Sequence, residues 1–395
     1  MIHKSLVAAI LAMGLALAVP GAGAGAPLAG NAWAWGLNSD GELGNGTAIP
    51  YGGRSTPAQV VNLTDVVAVA GGDQHSLALR SDGTVWAWGN DGWGQLGNGT
   101  YARSTIPVQV PGLTNVTAIA AGSLHNLAVK SDGTVWAWGF NYYGQVGNGT
   151  SGGNVLSPAQ VKYLTGVTAV AGGGYTSFAL KSDRTVWAWG YDGQGQLGNG
   201  TSDESAHSIP TKVRSLNTAV SISAGVEHGL AVLTGGSVSA WGDNQTSELG
   251  TTTTTTCGAY RSPCSTVPVR VAGLGGAIAV AGGYGYSLAL KGDGSAWGWG
   301  NNGYGELGNG APQLYGGVKT PVAATVGGVI AIAAGASHSL WLRSDGTVWA
   351  AGSNYYGQIG NGTFDDSTVP VKVVNLNGLS SIAAGHSHSL AVKYR

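Results

Sequence analysis

The sequence is poor in charge. Charged residues make up 9% of the 395 residues, against about 25% in a typical soluble domain. The 18 basic and 19 acidic residues give a net charge of −1, and no two Lys or Arg residues are adjacent. A nucleic-acid-binding surface needs clustered basic side chains that neutralise phosphates and release counterions. The chain lacks that footprint, so we expect no nucleic-acid partner.

Familiar catalytic and cofactor-binding motifs are also missing. The sequence contains no H-E-x-x-H metalloprotease motif and no G-x-x-x-x-G-K-[ST] phosphate-binding loop. Carboxylates that are distant in the sequence can still meet in a fold, so a spatial carboxylate pair is left open. From these absences we predict that the chain is not an enzyme and has no catalytic residue, no cofactor and no metal site.

Cysteine is scarce. The chain has only two cysteines, Cys257 and Cys264, in the segment C-G-A-Y-R-S-P-C. Two cysteines this close, across a loop that contains Gly and Pro, can form a local disulfide in an oxidising compartment. One such pair without a nearby His supplies too few ligands for a zinc site. The spacing therefore predicts a disulfide between Cys257 and Cys264.

Long apolar runs are confined to the N-terminus. Lys4 precedes an apolar run over residues 6–19, and residues 22–24 have the A-x-A form of a cleavage site. The run is shorter than the roughly 20 residues that a membrane-spanning helix needs. We predict a signal peptide at 1–24 and a leader at 25–30, with an uncleaved anchor as the alternative. The mature chain is then secreted (extracellular, periplasmic or cell-surface) without a membrane span, and the Ala/Gly-rich signal indicates a bacterial source.

What the chain does have is glycine and tryptophan at regular intervals. It contains 70 Gly and 14 Trp, and the motif W-A-W-G or a weaker form of it occurs seven times. The copies begin at Trp33, Trp86, Trp136, Trp187, Ser239, Trp297 and Trp349. Their spacings are 53, 50, 51, 52, 58 and 52 residues, and the longest contains the cysteine segment as an insertion. A fixed period of this length is typical of a repeat architecture.

A second motif is out of phase with the first. It reads A-G-G-D-Q-H-S-L-A-L at Ala70–Leu79 and also has seven copies. Its relatives begin at Ala121, Ala171, Ala224, Ala281, Ala334 and Ala384. The chain thus starts with a Trp strand that lacks the preceding motif, and ends with a copy that lacks a following Trp strand. This offset predicts one blade assembled from both chain ends, which leaves no sheet unpaired.

Each repeat predicts four strands. The Asp-Gly pair at 132–133 marks a tight hairpin, and the alternation of a strand puts Trp136 and Trp138 on one face and Ala137 on the other. Both faces are apolar, so both are buried between neighbouring sheets. We predict an all-β, seven-bladed β-propeller of four-stranded antiparallel blades over 31–395, its ring closed by pairing of the N- and C-terminal strands. Unit 1 combines 31–61 with 376–393, and units 2 to 7 cover about 64–111, 114–162, 165–214, 217–272, 275–324 and 327–374.

These motifs resemble the regulator of chromosome condensation repeat. The shared pattern is A-G-x-x-H-S-L-A-L-x-x-D-G-x-V-W-x-W-G-x-N-x-x-G-Q-L-G-N-G-T, and it covers nearly all of the chain after the signal. The resemblance implies a propeller closed by both chain ends. The eukaryotic namesake is a guanine-nucleotide exchange factor for the Ran GTPase that docks on chromatin, and exported bacterial relatives include a propeller-type β-lactamase inhibitory protein. The repeats here are longer and more regular than those of that inhibitor, so its role is not carried over.

Two polar positions recur in the repeats. Five units have a histidine in the second motif, namely His75, His125, His228, His338 and His388, and the other two have Thr176 and Tyr286. A metal-binding ring is one interpretation, but one His per blade is too widely spaced for a single ion with bonds of about 2 Å. We favour a structural polar group that bonds backbone within each blade. The Asn or Asp two residues after the glycine of the Trp strand is predicted to cap a loop turn.

The long connections carry aromatic residues without a strand role. In a four-stranded meander, the connections between strands one and two and between strands three and four lie on one side, which we call the loop face. Its aromatic residues are Trp93, Tyr142, Tyr143, Tyr175, Tyr191, Tyr284, Tyr304, Tyr355 and Tyr356. Exposed Tyr and Trp rings on a rigid scaffold are typical of a binding surface. The equally weighted alternative is that the rings pack beneath the loops.

The leading functional hypothesis is a secreted or cell-surface binding scaffold. It recognises a protein or a glycan through the loop face and is a monomer. The alternatives are a guanine-nucleotide exchange factor for a small GTPase, an inhibitor of a secreted enzyme such as a β-lactamase, and a polysaccharide-acting enzyme. The predicted signal peptide argues against the exchange factor, because the GTPase would lie in another compartment.

Overall fold

The structure is a computed structural model that describes residues 29–394. The predicted signal peptide at 1–24 and most of the predicted leader at 25–30 lie outside the described residues. Strands and turns make up the described part, in which no helix is long and apolar enough to cross a membrane.

The described residues form 29 strands. The first ten are β1 Gly30–Leu37, β2 Gly53–Gln59, β3 Val66–Gly71, β4 His75–Arg80, β5 Val85–Gly89, β6 Ser104–Gln109, β7 Val116–Ala121, β8 His125–Lys130, β9 Val135–Gly139 and β10 Val155–Gln160. They are followed by β11 Val167–Gly172, β12 Thr176–Lys181, β13 Val186–Asp192, β14 Asp203–Lys212, β15 Ala219–Ala224, β16 His228–Leu233, β17 Val238–Asp243, β18 Thr255–Cys257 and β19 Ser262–Arg270. The last ten are β20 Ala277–Gly282, β21 Tyr286–Lys291, β22 Ala296–Asn302, β23 Gln313–Ala323, β24 Val329–Ala334, β25 His338–Arg343, β26 Val348–Gly352, β27 Ser367–Lys372, β28 Leu379–Ala384 and β29 His388–Tyr394.

A uniform hairpin joins the second and third strands of most units. In unit 3, Gly133 has a φ of +76°, a backbone conformation that glycine adopts without steric cost. The Asp132 Oδ1 atom accepts hydrogen bonds from the Thr134 N–H at 2.9 Å and from the Thr134 hydroxyl at 2.6 Å. The equivalent Asp residues of four other units are Asp82, Asp183, Asp293 and Asp345. We call the side of the molecule that carries these hairpins the turn face.

Hydrogen bonding arranges the strands into six antiparallel sheets. Five of the sheets stand alone: β7–β10, β11–β14, β20–β23 and β24–β27 have four strands each, and β15–β19 has five. The remaining sheet has eight strands and contains both unit 1 and unit 2. The prediction of seven separate four-stranded blades is therefore wrong: five sheets are separate blades, and the other two units share one sheet.

The two chain ends do pair, inside the eight-stranded sheet. β1 runs antiparallel to β29, with Gly30 opposite Tyr394, and β2 pairs with the other edge of β1. Gly30 is also opposite Val66 of β3, and this contact merges the two units. Glycine suits this position, because a Cβ atom there would collide with the backbone of Lys393. The predicted ring closure by terminal strand pairing is wrong: the termini complete one sheet, strand pairing does not close a ring of seven blades, and contacts between separate sheets are made by side chains and turns.

Apolar clusters lie between neighbouring units. The ring of Trp88 in unit 2 is fully buried and packs among Leu43, Val60 and other residues of unit 1. Its Nε1–H donates to the carbonyl oxygen of Glu42 at 2.7 Å. Burial of a Trp ring stabilises a fold by roughly 5 kcal/mol before entropy, from about 200 Å² at about 25 cal/mol/Å². The second Trp of the repeat therefore acts mainly to join one unit to the next.

Unit 7 keeps this arrangement with a different residue. Its Trp strand has Ala351 where the second Trp would stand, and Ala351 lies opposite Ser339. Trp341, two residues further along the neighbouring strand β25, packs against Gly308 as Trp88 packs against Gly44 in unit 2. An indole from the adjacent strand thus fills the space that Ala351 leaves.

The cysteine segment forms an extra hairpin on unit 5. β18 and β19 pair with each other, and Cys257 is bonded to Cys264 with the two Cα atoms 5.8 Å apart. This hairpin makes unit 5 the one unit with five strands among the described residues. It lies on the loop face, since it belongs to the connection between the third and fourth strands.

Candidate binding face

The repeated histidines lie at unit boundaries. Their Nε2 atoms contact a side-chain oxygen of the next unit at 2.7–2.9 Å. At one boundary His388 contacts the Ser76 hydroxyl, which donates to the carbonyl oxygen of Glu42. The single hydroxyl hydrogen is used there, so the imidazole must donate from Nε2. The structural role that we favoured is right, but its partner is wrong: the bond reaches a neighbouring side chain rather than backbone of the same blade.

Burial keeps these imidazoles neutral. It lowers the pKa of His125, His338 and His388 to about 3 and that of His228 to about 4. The two units without histidine use other contacts. Thr176 donates to the Tyr191 carbonyl oxygen, and the Tyr286 hydroxyl donates to the His338 carbonyl oxygen at 2.6 Å. The histidine position therefore links neighbouring units wherever it holds His, and Tyr286 does the same in unit 6, whereas the Thr176 bond stays within unit 4.

Turns at the start of the second strands surround a central cavity. Backbone hydrogen bonds connect each turn to the next, from Asp73 through Tyr284 and His386 and back to Gly72. The cavity has a volume of about 220 Å³, and Gly and Ala dominate its lining. Of the described residues that line it, one is acidic, Asp73, and one carries an imidazole, His386. Such a cavity can hold water or a small ligand, but it lacks a catalytic constellation.

The Asn or Asp of each long loop holds that loop in shape. The Asn141 Oδ1 accepts the N–H of Val146 at 2.9 Å, and its Nδ2 donates to the Thr150 carbonyl oxygen at 3.0 Å. The corresponding side-chain acceptor is present in the other units. The predicted turn-capping role is therefore confirmed, and it fixes the loop backbone from which the aromatic rings project.

Five of the predicted aromatic residues meet in one cluster on the loop face. Tyr143 is central among them, with ring centroids 5.3 Å from Tyr142, 5.3 Å from Tyr175 and 4.8 Å from Tyr191. Trp93 joins through a sixth ring, that of Phe140, at 5.2 Å. We call these six residues the aromatic cluster. It spans units 2, 3 and 4 and draws on both kinds of loop-face connection.

Phe140 was missed by the sequence analysis. Its ring contacts Trp93, Tyr142, Tyr143 and Tyr175 and so connects the two halves of the cluster. It directly follows the glycine of the Trp strand, the position that Tyr191 occupies in unit 4 and that Asn90 and Ser353 occupy in units 2 and 7. The chain has only three phenylalanines, so a phenylalanine in a long loop could have marked this position as a candidate site residue.

The cluster is both packed and exposed. Trp93 is 45% exposed and Tyr142 is 58% exposed, whereas Tyr143 is half-buried at the centre. The rings therefore support one another and still present apolar area to solvent. The other predicted residues lie apart from the cluster: Tyr355 and Tyr356 contact each other at 4.9 Å, and Tyr284 and Tyr304 are exposed singly.

Carboxylates accompany the aromatic cluster. Burial, together with the nearby negative charges of Asp73 and Glu227, raises the pKa of the Tyr175 hydroxyl. Burial and the charge of Glu204 act on the pKa of the Tyr191 hydroxyl in the same direction. Aromatic faces and carboxylates both attract cations. This part of the loop face is thus suited to cationic groups.

A spatial carboxylate pair, which the sequence left open, does occur in unit 5. Burial and the adjacent Asp243 carboxylate raise the pKa of Glu248 to about 8. Both side chains are buried, and Glu248 also accepts the N–H of Thr246 at 2.8 Å. The pair lines neither the central cavity nor the groove beside the cysteine hairpin. Its contacts hold the loop, so we assign it no catalytic role.

Comparison with known protein families identifies the repeat. The family described as RCC1-like domain matches residues 152–394, which is more than half of the chain. The family described as Regulator of chromosome condensation (RCC1) repeat matches residues 29–79 and 82–129.

Individual relatives share the fold along most of the chain. The Ultraviolet-B receptor UVR8 of Arabidopsis thaliana is 29% identical over 372 residues, which cover 91% of this chain and 70% of UVR8. Prp20p of Saccharomyces cerevisiae superimposes with a TM-score of 0.79 at 22% identity, covering 94% of this chain and 93% of Prp20p. Human WBSCR16 gives a TM-score of 0.79 at 22% identity, with 92% and 99% of the two chains covered. The chain belongs to the RCC1-like domain family of β-propellers.

Proposed function

We propose that this propeller is an exported binding protein that recognises a protein partner through the aromatic cluster and the carboxylates beside it. The observation that carries the proposal is the continuous cluster of six rings, partly exposed, on one face of a rigid scaffold. Export is supported by the predicted signal at 1–24 and by the bond between Cys257 and Cys264.

Rigid rings bind a partner at low entropic cost. Tyr and Trp supply a large contact area with few rotatable bonds, and packing against Phe140 and Tyr143 already restricts the exposed rings. Interfaces derive most of their affinity from a few such anchors, each costing at least about 2 kcal/mol when truncated. The exposed rings of the aromatic cluster can serve as such anchors for a partner.

The charge around the cluster favours a partner with exposed Arg or Lys. Asp73, Glu204 and Glu227 lie close enough to shift the pKa values of the Tyr175 and Tyr191 hydroxyls. An Arg guanidinium that stacks on an aromatic ring beside a carboxylate gains from both groups. Prp20p has binding properties toward Gsp1p and histones, so a propeller of this shape can serve as a protein-binding scaffold.

The experiment compares three rings of the aromatic cluster with one exposed ring on the turn face. The immobilised chain captures proteins from the medium and cell surface of the producing organism, and the captured protein is then titrated against variants. Combined Trp93→Ala, Tyr142→Ala and Tyr175→Ala substitutions should weaken binding at least about tenfold with little change in melting temperature. Tyr163→Ala is the control, because Tyr163 is 82% exposed but lies on the turn face. Equal binding by the triple variant and the wild type would refute the proposal.

A second candidate is nucleotide exchange on a small GTPase. It is supported by the likeness to Prp20p, which has binding properties toward Gsp1p, although that likeness extends to the fold alone. The test is release of labelled guanine nucleotide from a panel of small GTPases. Acceleration by this chain that the triple variant loses would favour exchange over simple binding.

A further inference from the structure

Unit 4 differs from every other unit in the edge of its long loop. Its fourth strand, β14, begins at Asp203 and places that residue opposite Asp192. The same strand places His207 opposite Gly190. The corresponding positions opposite the Trp-strand glycine in units 2, 5 and 7 are Ser104, Ser265 and Ser367. Two carboxylates and an imidazole thus meet at this edge.

The three side chains have the spacing of metal ligands. One ligand atom from each of Asp192, Asp203 and His207 lies within 4.8 Å of the other two. The His207 Nε2 atom is 3.2 Å from the Asp203 Oδ1 atom. Two ligands bonded at about 2.05 Å to a tetrahedral ion are about 3.3 Å apart. Small side-chain rotations would therefore complete a coordination shell. The Asp203 side chain is 43% exposed, and its Oδ1 atom also accepts the Ser205 N–H at 2.8 Å.

A second observation comes from Asp192 itself. In five units the equivalent residue is Asn, whose Nδ2 donates to a carbonyl oxygen of the loop. Asp192 has no such donor and is fully buried. The Thr201 hydroxyl has one hydrogen for two acceptors, the Asp192 Oδ2 atom at 3.3 Å and the Asn199 Oδ1 atom at 2.7 Å. The buried Oδ2 atom therefore has one long, shared hydrogen bond at the place where those five units have an amide donor.

Asp91 is the matched residue without the other two ligands. It occupies the same position in unit 2 and has the same contact, with Thr100, at 3.3 Å. Opposite the glycine of the Trp strand, unit 2 has Ser104 where unit 4 has His207. In unit 4 a positive ion can serve Asp192, Asp203 and His207 together. No Lys or Arg of residues 29–394 forms an ion pair with either carboxylate.

We infer that Asp192, Asp203 and His207 bind one divalent cation of the zinc class on the loop face. Calcium prefers six to eight oxygen ligands, whereas a mixed set of carboxylate and imidazole ligands suits zinc and its first-row neighbours. Three protein ligands leave a coordination position open. Asp203 also lines a groove shared with Cys257, Gly258 and Arg261 of the cysteine hairpin, so the open position adjoins this groove. The sequence analysis predicted no metal site because these ligands are brought together by strand pairing and follow no contiguous motif.

The test is calorimetric titration of the untagged full chain with Zn²⁺ under non-reducing conditions. The wild type should bind one Zn²⁺ ion per chain at its site of highest affinity. Asp192→Asn and His207→Ser should each weaken that site at least about tenfold, and both should fold normally, because Asn and Ser are native at these positions in other units. Asp91→Asn is the matched control and should leave Zn²⁺ binding unchanged.

Three outcomes overturn the inference. One is a wild type without a stoichiometric site, and another is a His207→Ser variant that binds Zn²⁺ as the wild type does. The third is a preference for Ca²⁺ over Zn²⁺, which would contradict imidazole ligation. Melting temperatures measured in a chelator keep loss of folding distinct from loss of the site. This inference does not depend on the proposed protein partner.

Discussion

The two faces of the propeller use carboxyl groups in opposite ways. On the turn face, the hydroxyl and N–H of Thr84 hold the pKa of Asp82 below its usual value, and the same contact recurs around Asp132. On the loop face, burial raises the pKa of Glu306 to about 7 and that of Glu248 to about 8. The turn face stabilises charged carboxylates in solvent, whereas Glu306 and Glu248 are buried beneath the long loops and favour the neutral form.

The difference follows from what each face has to do. The turn face joins strands by a short hairpin whose hydrogen bonds are local, so one sequence serves most units. The loop face carries long connections that need buried polar groups to hold them and that differ from unit to unit. Uniform residues on the turn face therefore report on folding, whereas the variable residues on the loop face are candidates for function.

The largest effect should separate the interior from the loop face. Trp88 and Trp93 are five residues apart, but Trp88 is fully buried and Trp93 is 45% exposed. Trp88→Ala should lower the free energy of unfolding by about 3–5 kcal/mol, because it empties the boundary between units 1 and 2. Trp93→Ala should cost less than about 1 kcal/mol. Urea denaturation followed by circular dichroism measures both, and equal losses would break the distinction.

The fold was largely readable from the sequence because its signals are repeated. Each copy of W-A-W-G and of the second motif predicts the same strand and the same hairpin. Seven agreeing copies make a chance match to the strand pattern improbable. The number of separate sheets was not readable. It depends on one backbone contact, Gly30 opposite Val66. A contact made by a single pair of residues does not recur in the repeats, so the sequence pattern does not predict it.

The site was readable only in part. The loop-face aromatics were identifiable by position, but which rings meet depends on the curvature of units 2 to 4. Phe140 connects the cluster and occupies the same repeat position as Tyr191, but only the tyrosine was predicted as a site residue. Asp192 and His207 are 15 positions apart and meet only through the pairing of β13 with β14, which no local motif encodes.

An intermediate effect should appear in the pH dependence of Glu306. The folded-state pKa of about 7 lies above the ordinary value of 4.5, so the native state holds a proton that the unfolded state has lost. This group's stabilisation is therefore complete below about pH 4.5 and is lost as pH rises through about 7. At about 1.4 kcal/mol per pKa unit, the difference is about 3 kcal/mol.

Glu306→Gln tests this directly, because Gln is native at this position in four other units, at Gln95, Gln145, Gln196 and Gln358. Relative to the wild type, the variant should gain stability between pH 5 and pH 8. Urea midpoints at these two pH values give the measurement. Parallel curves for the two proteins would show that burial does not shift the pKa of this carboxyl group, and the contrast between the faces would lose its main support.

The smallest effect should be on the turn face, at Asp82. Its carboxylate is exposed and pairs with the Arg80 guanidinium at 2.9 Å, and exposed ion pairs contribute little. Asp82→Asn keeps an Oδ1 acceptor for Thr84 and removes the charge, so stability should change by less than about 0.5 kcal/mol.

The folded-state pKa of Asp82 lies below the ordinary value of 3.8, so this group's stabilisation is present above that value and is lost only as pH falls through the folded pKa. Between pH 5 and pH 8 both states are ionised, and the small difference should stay flat where that of Glu306→Gln changes. If the stability difference between Asp82→Asn and the wild type instead changed between pH 5 and pH 8 in the same urea experiment, Asp82 would be protonated in the folded state. The contrast between the two faces would then fail.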